Sequence, residues 1–276
     1  MMDNMIHDDK TVFVTLCDEK YFYRAKNTIH QLRNYGKWGG KIILISVDFN
    51  LDHEFKLKYN IIEKQFPIID KSNLIFKIGD GFTDGDKREI TKLTQWEKLH
   101  VFDIYFKHWE RVVFLDAGLN VFDSVEYLLA LDYKNSFLCG SDRGDGIIKH
   151  NNNEFKCQIT KDRPEIFNNL IKDFGSDFLN SEYFLNCMWV YDTNILDIIK
   201  KEEFIETMNL YPLFKTNEMG VMNLILNFKY KLWIPFPEKI KNGKYLFDWC
   251  ELNRPGTNWT QYCFIKYSTT YKEYFL

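Results

Sequence analysis

Three short runs decide what this chain can become. Thr11-Val12-Phe13-Val14-Thr15-Leu16, Lys41-Ile42-Ile43-Leu44-Ile45-Ser46-Val47 and Arg111-Val112-Val113-Phe114-Leu115 are β-branched and apolar without alternation. A strand that alternates buries one face, whereas a strand apolar on both faces must be covered on both. Parallel sheets clad by helices meet that condition. Between the first two runs, Phe22, Ala25, Ile29 and Leu32 stand at helical spacing and predict an amphipathic helix over about Lys20 to Asn34, with Asp18 as its cap. Gly36 and Gly39-Gly40 break the chain before the second run, so strand, helix and strand make a βαβ unit.

The alternation continues. A second helix is expected over about Asp52 to Gln65, ending before Pro67. Gly79-Asp80-Gly81 to Gly85-Asp86 is a polar turn region; no Lys-Ser/Thr follows at phosphate-loop spacing, so a surface loop is expected. Thr91 to Trp109 is a long helical segment with Leu93, Trp96, Leu99, Ile104 and Phe106 as apolar positions. Further strands are expected at Ser136–Gly140 and Met188–Tyr191, and further helices near Pro164–Phe174 and Asn217–Phe228. No repeat or linker interrupts the pattern, which gives one α/β domain with a central, mostly parallel sheet. From Pro235 the chain turns aromatic and turn-rich, and reads as a C-terminal wrap.

Composition narrows the function. Lys and Arg number 36 against 39 Asp and Glu, a net charge of −3, which disfavours a nucleic-acid binder because phosphate contact needs a basic excess. The chain is 17% aromatic; most such rings belong in a core, although some can stack on the apolar faces of sugars. Cys17, Cys139, Cys157, Cys187, Cys250 and Cys263 form no C-x-x-C pair, so neither a zinc site nor a disulfide framework follows. The first ten residues are polar and lack the apolar core of a signal peptide. No segment approaches the ~20 apolar residues that span a bilayer, so the expected location is the cytoplasm.

Ligands of open α/β sheets gather at the carboxyl ends of the strands. Asp116 stands at such an end and is either a cap or loop residue or a site residue. Asn186 is polar within an apolar run and needs a partner there, from the backbone or from a ligand. Glu218 opens a predicted helix, where the dipole alone would favour a carboxylate. Lys266 is unusual for its position between Ile265 and Tyr267, and Lys98 on a helix is ordinarily a solvated charge. No G-x-S-x-G or other hydrolase signature appears.

Taken in order, these segments resemble the nucleotide-sugar-binding core of GT-A-fold glycosyltransferases, and glycogenin-like enzymes in particular. The resemblance is carried by Val14-Thr15-Leu16-Cys17-Asp18 with Tyr21, by Lys98-Leu99, and by Arg111 to Asp116-Ala117-Gly118. Leu185-Asn186-Cys187-Met188-Trp189, Glu218-Met219-Gly220-Val221-Met222-Asn223 and Phe264-Ile265-Lys266-Tyr267-Ser268 with Lys272 complete it. It implies a single GT-A, Rossmann-like domain over residues 1–276, with 1–10 as a polar N-terminal tail and 235–276 as a C-terminal wrap that completes the donor site. The implied activity is transfer of a sugar from a nucleotide diphosphate, a UDP-sugar by this likeness, to a hydroxyl on a glycan, protein or small molecule. Thr15, Leu16, Tyr21, Lys98, Asp116, Ala117, Gly118, Lys266 and Lys272 are the implied donor contacts, and Asn186 and Glu218 face the sugar. The family holds a divalent cation with two Asp and a His. Here Gly118 replaces the second Asp and Lys266 the His, so only Asp116 is left as a metal ligand and a Mn²⁺ or Mg²⁺ requirement is in doubt. Met219 likewise stands where the family has Gln. Two other readings share the fold: a protein of this type that only binds a nucleotide or glycan, and a sugar nucleotidyltransferase. The latter would carry a Gly-rich basic loop where Cys17-Asp18-Glu19-Lys20 stands.

Overall fold

A computed structural model describes residues 5–74, 90–142, 154–240, 242–250 and 259–267. The three diagnostic runs form adjacent parallel strands: β1 (Thr11–Cys17), β2 (Ile42–Ser46) and β4 (Arg111–Leu115), with β1 in the centre. Together with β3 (Ile61–Lys64), β6 (Phe137–Ser141), β7 (Phe184–Asp192) and β8 (Trp233–Pro235) they build a seven-stranded sheet in the order β3-β2-β1-β4-β7-β6-β8. Only β7 runs against its neighbours. A second sheet of three strands joins β5 (Leu119–Val121), β10 (Tyr262–Tyr267) and β9 (Tyr245–Cys250) in that order.

Successive residues of β1 serve opposite faces of the sheet. Val12, Val14 and Leu16 enter one core, with Phe102, Trp189 and Phe204. Phe13 and Cys17 enter the other, beneath Ala25, Ile29 and Leu32 of helix α1 (Phe22–Asn34). Both faces are dry, which is why the strand could be apolar throughout. Two features tie the start of the chain to this frame: Ile6 bridges to Trp38, and Arg111 reaches Asp8 at 2.9 Å. Among the described residues no helix is long and apolar enough to cross a membrane.

Three expected elements differ. The helix predicted to Gln65 is α2 (His53–Tyr59), which stops at Asn60 in the left-handed conformation (φ 48°), and the rest is edge strand β3. Asn is among the few residues that tolerate such a C-terminal cap. Glu63 of β3 then accepts from the Leu51 amide, the Ser46 hydroxyl and Lys56, pinning α2 and the loop after β2. The segment read as one helix over Thr91–Trp109 is instead two 3-10 helices, Ile90–Phe102 and Ile104–His108, separated by Asp103, whose carboxylate caps the second. The helix expected over Asn217–Phe228 starts as an α-helix (Glu218–Met222) and continues as a π-helix (Asn223–Lys229). The polar turn at Gly79–Asp86 lies outside the described residues.

The strand order reverses between β1 and β4, so the crevice outside their carboxyl ends is where an open α/β sheet offers room to a ligand. The core beneath it is aromatic: Trp189 stacks on Phe114 with ring centroids 3.9 Å apart, yet its indole N–H is buried without a hydrogen-bond partner. Trp189→Ala is therefore expected to cost about 3–5 kcal/mol in urea unfolding. Trp189→Phe should cost clearly less than Trp189→Ala, since it keeps a ring against Phe114 and discards an unsatisfied donor while leaving a smaller cavity.

Candidate functional site

The turn that leaves β4 sets the geometry. Asp116 is the first residue beyond the strand, and the Leu119 amide donates back to its carbonyl at 2.9 Å. Gly118, at the third position of this turn, has φ 86°, the left-handed value that a type II turn demands there. Its amide donates to the Thr28 hydroxyl at 3.0 Å, and that hydroxyl donates to the Leu119 carbonyl at 2.9 Å, so α1 clamps the turn. A β-carbon at Gly118 would be strained by this backbone, which accounts for glycine at this position of the turn.

Strand β5 follows at once and pairs antiparallel with β10, placing Lys266 opposite Leu119. The Lys266 ammonium thereby reaches Asp116 Oδ2 at 2.9 Å and the Ala117 carbonyl at 2.8 Å. From the other side Lys98, on the first 3-10 helix, lies 3.3 Å from Asp116 Oδ1 and 3.1 Å from Glu218 Oε1. Asn186 donates its amide to the same Glu218 oxygen at 2.8 Å. Segments around residues 98, 116, 186, 218 and 266 thus converge on one alternating set of charges.

Two devices hold Asn186 and Glu218 in place. Cys139 of β6 pairs with Trp189 of β7, and Ser141 with Phe184, so four residues of β7 bulge opposite one of β6. Asn186 and Cys187 ride on that bulge, and the Cys139 thiol fills it against the Leu185 and Met188 carbonyls. Bulges re-aim side chains in this way beside functional sites. Asn223 then docks the Glu218 helix on β7: its amide accepts from the Phe184 N–H at 3.0 Å and donates to the Phe184 carbonyl at 3.1 Å. Gly220 allows the close approach, because a β-carbon there would lie 2.4 Å from the Phe214 ring.

Burial works against the charges of Lys98, Asp116 and Glu218, and the partners decide the outcome. For Lys98, desolvation would lower the pKa, but Asp116 and Glu218 together hold it above the ordinary lysine value. For Asp116, desolvation would raise the pKa, and Lys266 and Lys98 bring it below the ordinary carboxyl value. Glu218 goes the other way: burial dominates, and Lys98 and Asn186 offset only part of it, so its pKa is raised. Its second oxygen, Oε2, is buried with no partner. The neighbouring Cys187 thiol is pushed up to about 12 by burial and by Asp116.

The structure therefore brings Lys98, Asp116, Ala117, Asn186, Glu218 and Lys266 together. Gly118 belongs to the same turn but points its amide at α1. Thr15 and Leu16 are buried at the end of β1, the Thr15 hydroxyl without a partner. Tyr21 donates its amide to Asp18 at the start of α1 and lies under the Arg24 guanidinium at 4.7 Å. Lys272 lies outside the described residues. Sequence reading quoted Asn223 only as the end of a segment, with no role, and did not single out Thr28 or Gln95, which accepts from the Asn217 amide at 2.9 Å beside the Lys98–Glu218 pair. A divalent cation does not fit this donor set: the only carboxylate at the turn is already engaged by two ammonium groups. Among the described residues no group of three or more His, Cys, Asp or Glu converges.

No protein-family model matches the chain, and no curated protein matches it in sequence. Solved structures do match. One is the apo structure of WbbM, a bifunctional glycosyltransferase, at 13% identity and TM-score 0.59 over 97% of this chain. This chain spans only 47% of the length of that protein. A second is the galactosyltransferase LgtC in complex with donor and acceptor sugar analogues, at 10% identity and TM-score 0.55, covering 94% of this chain and 87% of that one. A third is core-mannan synthase A from Aspergillus fumigatus in its Mn/GDP form, at 12% identity and TM-score 0.53, covering 83% and 73%. The chain has the mixed α/β fold of these glycosyltransferases, with its mostly parallel central sheet between helices.

The opposite pKa directions make a testable pair. Asp116, lowered from an ordinary 3.8, adds stability that is complete above that value and is lost as pH falls through the depressed one. Glu218, raised from 4.5, adds stability that is complete below 4.5 and is lost as pH rises through the elevated one. Urea unfolding should show Glu218→Gln gaining on the wild type as pH rises from about 4 to 7. Asp116→Asn should lose ground as pH rises from about 2 to 5.

Proposed function

We propose that this protein is a glycosyltransferase that takes a nucleotide diphosphate sugar, of the UDP type, and delivers the sugar to a hydroxyl of a glycan, protein or small molecule. The observation that carries the reading is the Lys98–Asp116–Lys266 arrangement at the point where the strand order reverses, in a chain folded like known glycosyltransferases. The anomeric carbon loses its bond to the diphosphate oxygen, which leaves with the electron pair, and gains one to the acceptor oxygen, whose proton passes to solvent or to the departing phosphate. What such a reaction needs from a protein is positive charge where the diphosphate departs.

In this proposal Lys266 supplies that charge, with Lys98 behind it and Lys272 as a further contact. One ammonium at ~4 Å from a phosphate is worth roughly 4 kcal/mol at an effective dielectric near 20, before desolvation. Asp116 keeps both lysines aimed until the donor arrives; Ala117 and Gly118 let the ribose approach the backbone. Thr15, Leu16 and Tyr21 flank the nucleoside. Asn186 and the unpartnered Glu218 Oε2 face the transferred sugar, where a carboxylate oxygen can accept from a sugar hydroxyl. Metal is dispensable in this scheme because the lysines occupy its place.

The test is turnover of UDP-sugars to free UDP, with and without acceptor. Turnover is expected to persist in excess EDTA and to fall by about tenfold or more in Lys266→Ala, the loss of one charge-assisted phosphate contact. Strict dependence on added Mn²⁺, with Lys266→Ala unaffected, would contradict the metal-free scheme. Binding of UDP without any turnover would assign the chain a binding role instead.

A further inference from the structure

The first 3-10 helix and the segment that opens the Glu218 helix are joined twice. With three residues per turn, Gln95 and Lys98 share one face of the 3-10 helix, Trp96, Leu99 and Phe102 a second, and Thr94, Glu97 and His100 a third. The second face enters the core, and the third holds a buried ion pair between Glu97 and Lys71. On the first face, one turn apart, Gln95 accepts from the Asn217 side-chain amide at 2.9 Å and Lys98 meets Glu218 at 3.1 Å. Neighbouring residues of one segment thus grip successive turns of the other, through one neutral bond and one charged pair.

The backbone of Asn217 is strained. The Met219 amide donates to the Thr216 carbonyl at 3.3 Å, closing a four-residue turn with Asn217 at its second position. Its φ of 55° and ψ of −127° are those of the first central position of a type II′ turn (about 60° and −120°), a place for glycine. Asn60 also has a positive φ, but with ψ 55° it sits in the left-handed well that asparagine tolerates; Asn217 lies outside that well. Nor does Asn217 act as a helix cap. It directly precedes the Glu218 helix, where an asparagine side chain ordinarily accepts from the first turn, yet it makes no such bond. Its amide goes to Gln95 instead.

The bond stands next to the side chain whose aim matters most. Lys98 and Asn186 both hold Glu218 Oε1, while Oε2 is buried without a partner. With both contacts on one oxygen, the direction of the other depends on the backbone from which Glu218 departs. Asn217 is the residue before it, and its bond to Gln95 fixes that backbone against the very helix that carries Lys98.

We propose that Asn217 and Gln95 are positioning residues for the sugar transfer: their bond holds a strained turn in the shape that keeps Glu218 on Lys98 with Oε2 open to the sugar. The inference rests on the glycosyltransferase reading above. Asn217 serves through its amide and not through its backbone, for which glycine would be the better residue.

Variants of the full chain separate the amide from the backbone. Asn217→Gly and Asn217→Ala both lose the bond to Gln95, but only glycine relaxes the turn, so Asn217→Gly should melt about 2 °C or more above Asn217→Ala. Release of UDP from UDP-glucose, UDP-galactose and UDP-N-acetylglucosamine is then followed for each protein. kcat should fall about tenfold in both variants alike, with KM for the donor within about threefold of the wild type, because the bond orients a group and does not bind the donor. Gln95→Ala should match them, and Gln95→Ala combined with Asn217→Gly should fall no further. A kcat that follows the melting temperature, or losses that multiply in the double variant, would overturn the positioning role and leave the glycosyltransferase reading intact. Equal melting of the glycine and alanine variants would overturn the strained turn. A wild type that releases UDP from none of the donors would overturn the reading and the positioning role together.

Discussion

Everything at the candidate site depends on one carboxylate held between two ammonium groups. Asp116 contributes an anion to a largely dry rim, where an unpaired charge is untenable. Lys98 and Lys266 satisfy it from opposite sides, and each is recruited from a different part of the chain. That requirement explains architecture well away from the rim. Strand β10 must pair with β5 immediately after the Gly118 turn, or Lys266 has no route to Asp116. The first 3-10 helix must sit over Phe114, whose ring lies 5.9 Å from the Lys98 ammonium. Removing Asp116 leaves Lys266 with only the Ala117 carbonyl, and removing Lys98 leaves Glu218 without its cation, so the set behaves as a unit that Glu218 extends toward β7.

The same logic places the second charge pair. A helix of three residues per turn repeats its faces exactly in register with an apolar spacing of three, seen in Trp96, Leu99 and Phe102. The two remaining faces are then free to be polar in different ways, one turned to Asp116 and Glu218, the other to Lys71. An α-helix would smear these roles around its surface. The short helix Glu218–Met222 accepts its buried acid for a related reason: Asn223 and Asn186 fasten it to the bulged β7, so Lys98 finds Glu218 at a fixed place.

The central strands could be read directly from the sequence because burial on both faces leaves short, β-branched apolar runs bounded by breakers and helical patterns. Asp116 was equally visible as the acid that ends such a strand, and Asn186 and Lys266 as polar residues in apolar runs. Other features left no such mark. Ile61-Ile62-Glu63-Lys64 is too short to tell strand from helix by period, and only the left-handed Asn60 separates it from α2. Gly118 reads as a missing ligand until its φ shows a turn that wants glycine. The Lys71–Glu97 pair joins residues 26 apart, and nothing in either local sequence announces the other.

The account stands on lysines occupying the place of a metal beneath a diphosphate. A crystal structure of the protein grown with UDP and Mn²⁺, with anomalous data collected for manganese, tests that claim most directly. The account predicts a diphosphate within hydrogen-bonding distance of Lys266 Nζ, Asp116 still bridged to Lys98, and no anomalous peak between Asp116 and the phosphates. A manganese ion bound to Asp116 and the diphosphate, with Lys266 displaced toward solvent, would contradict it.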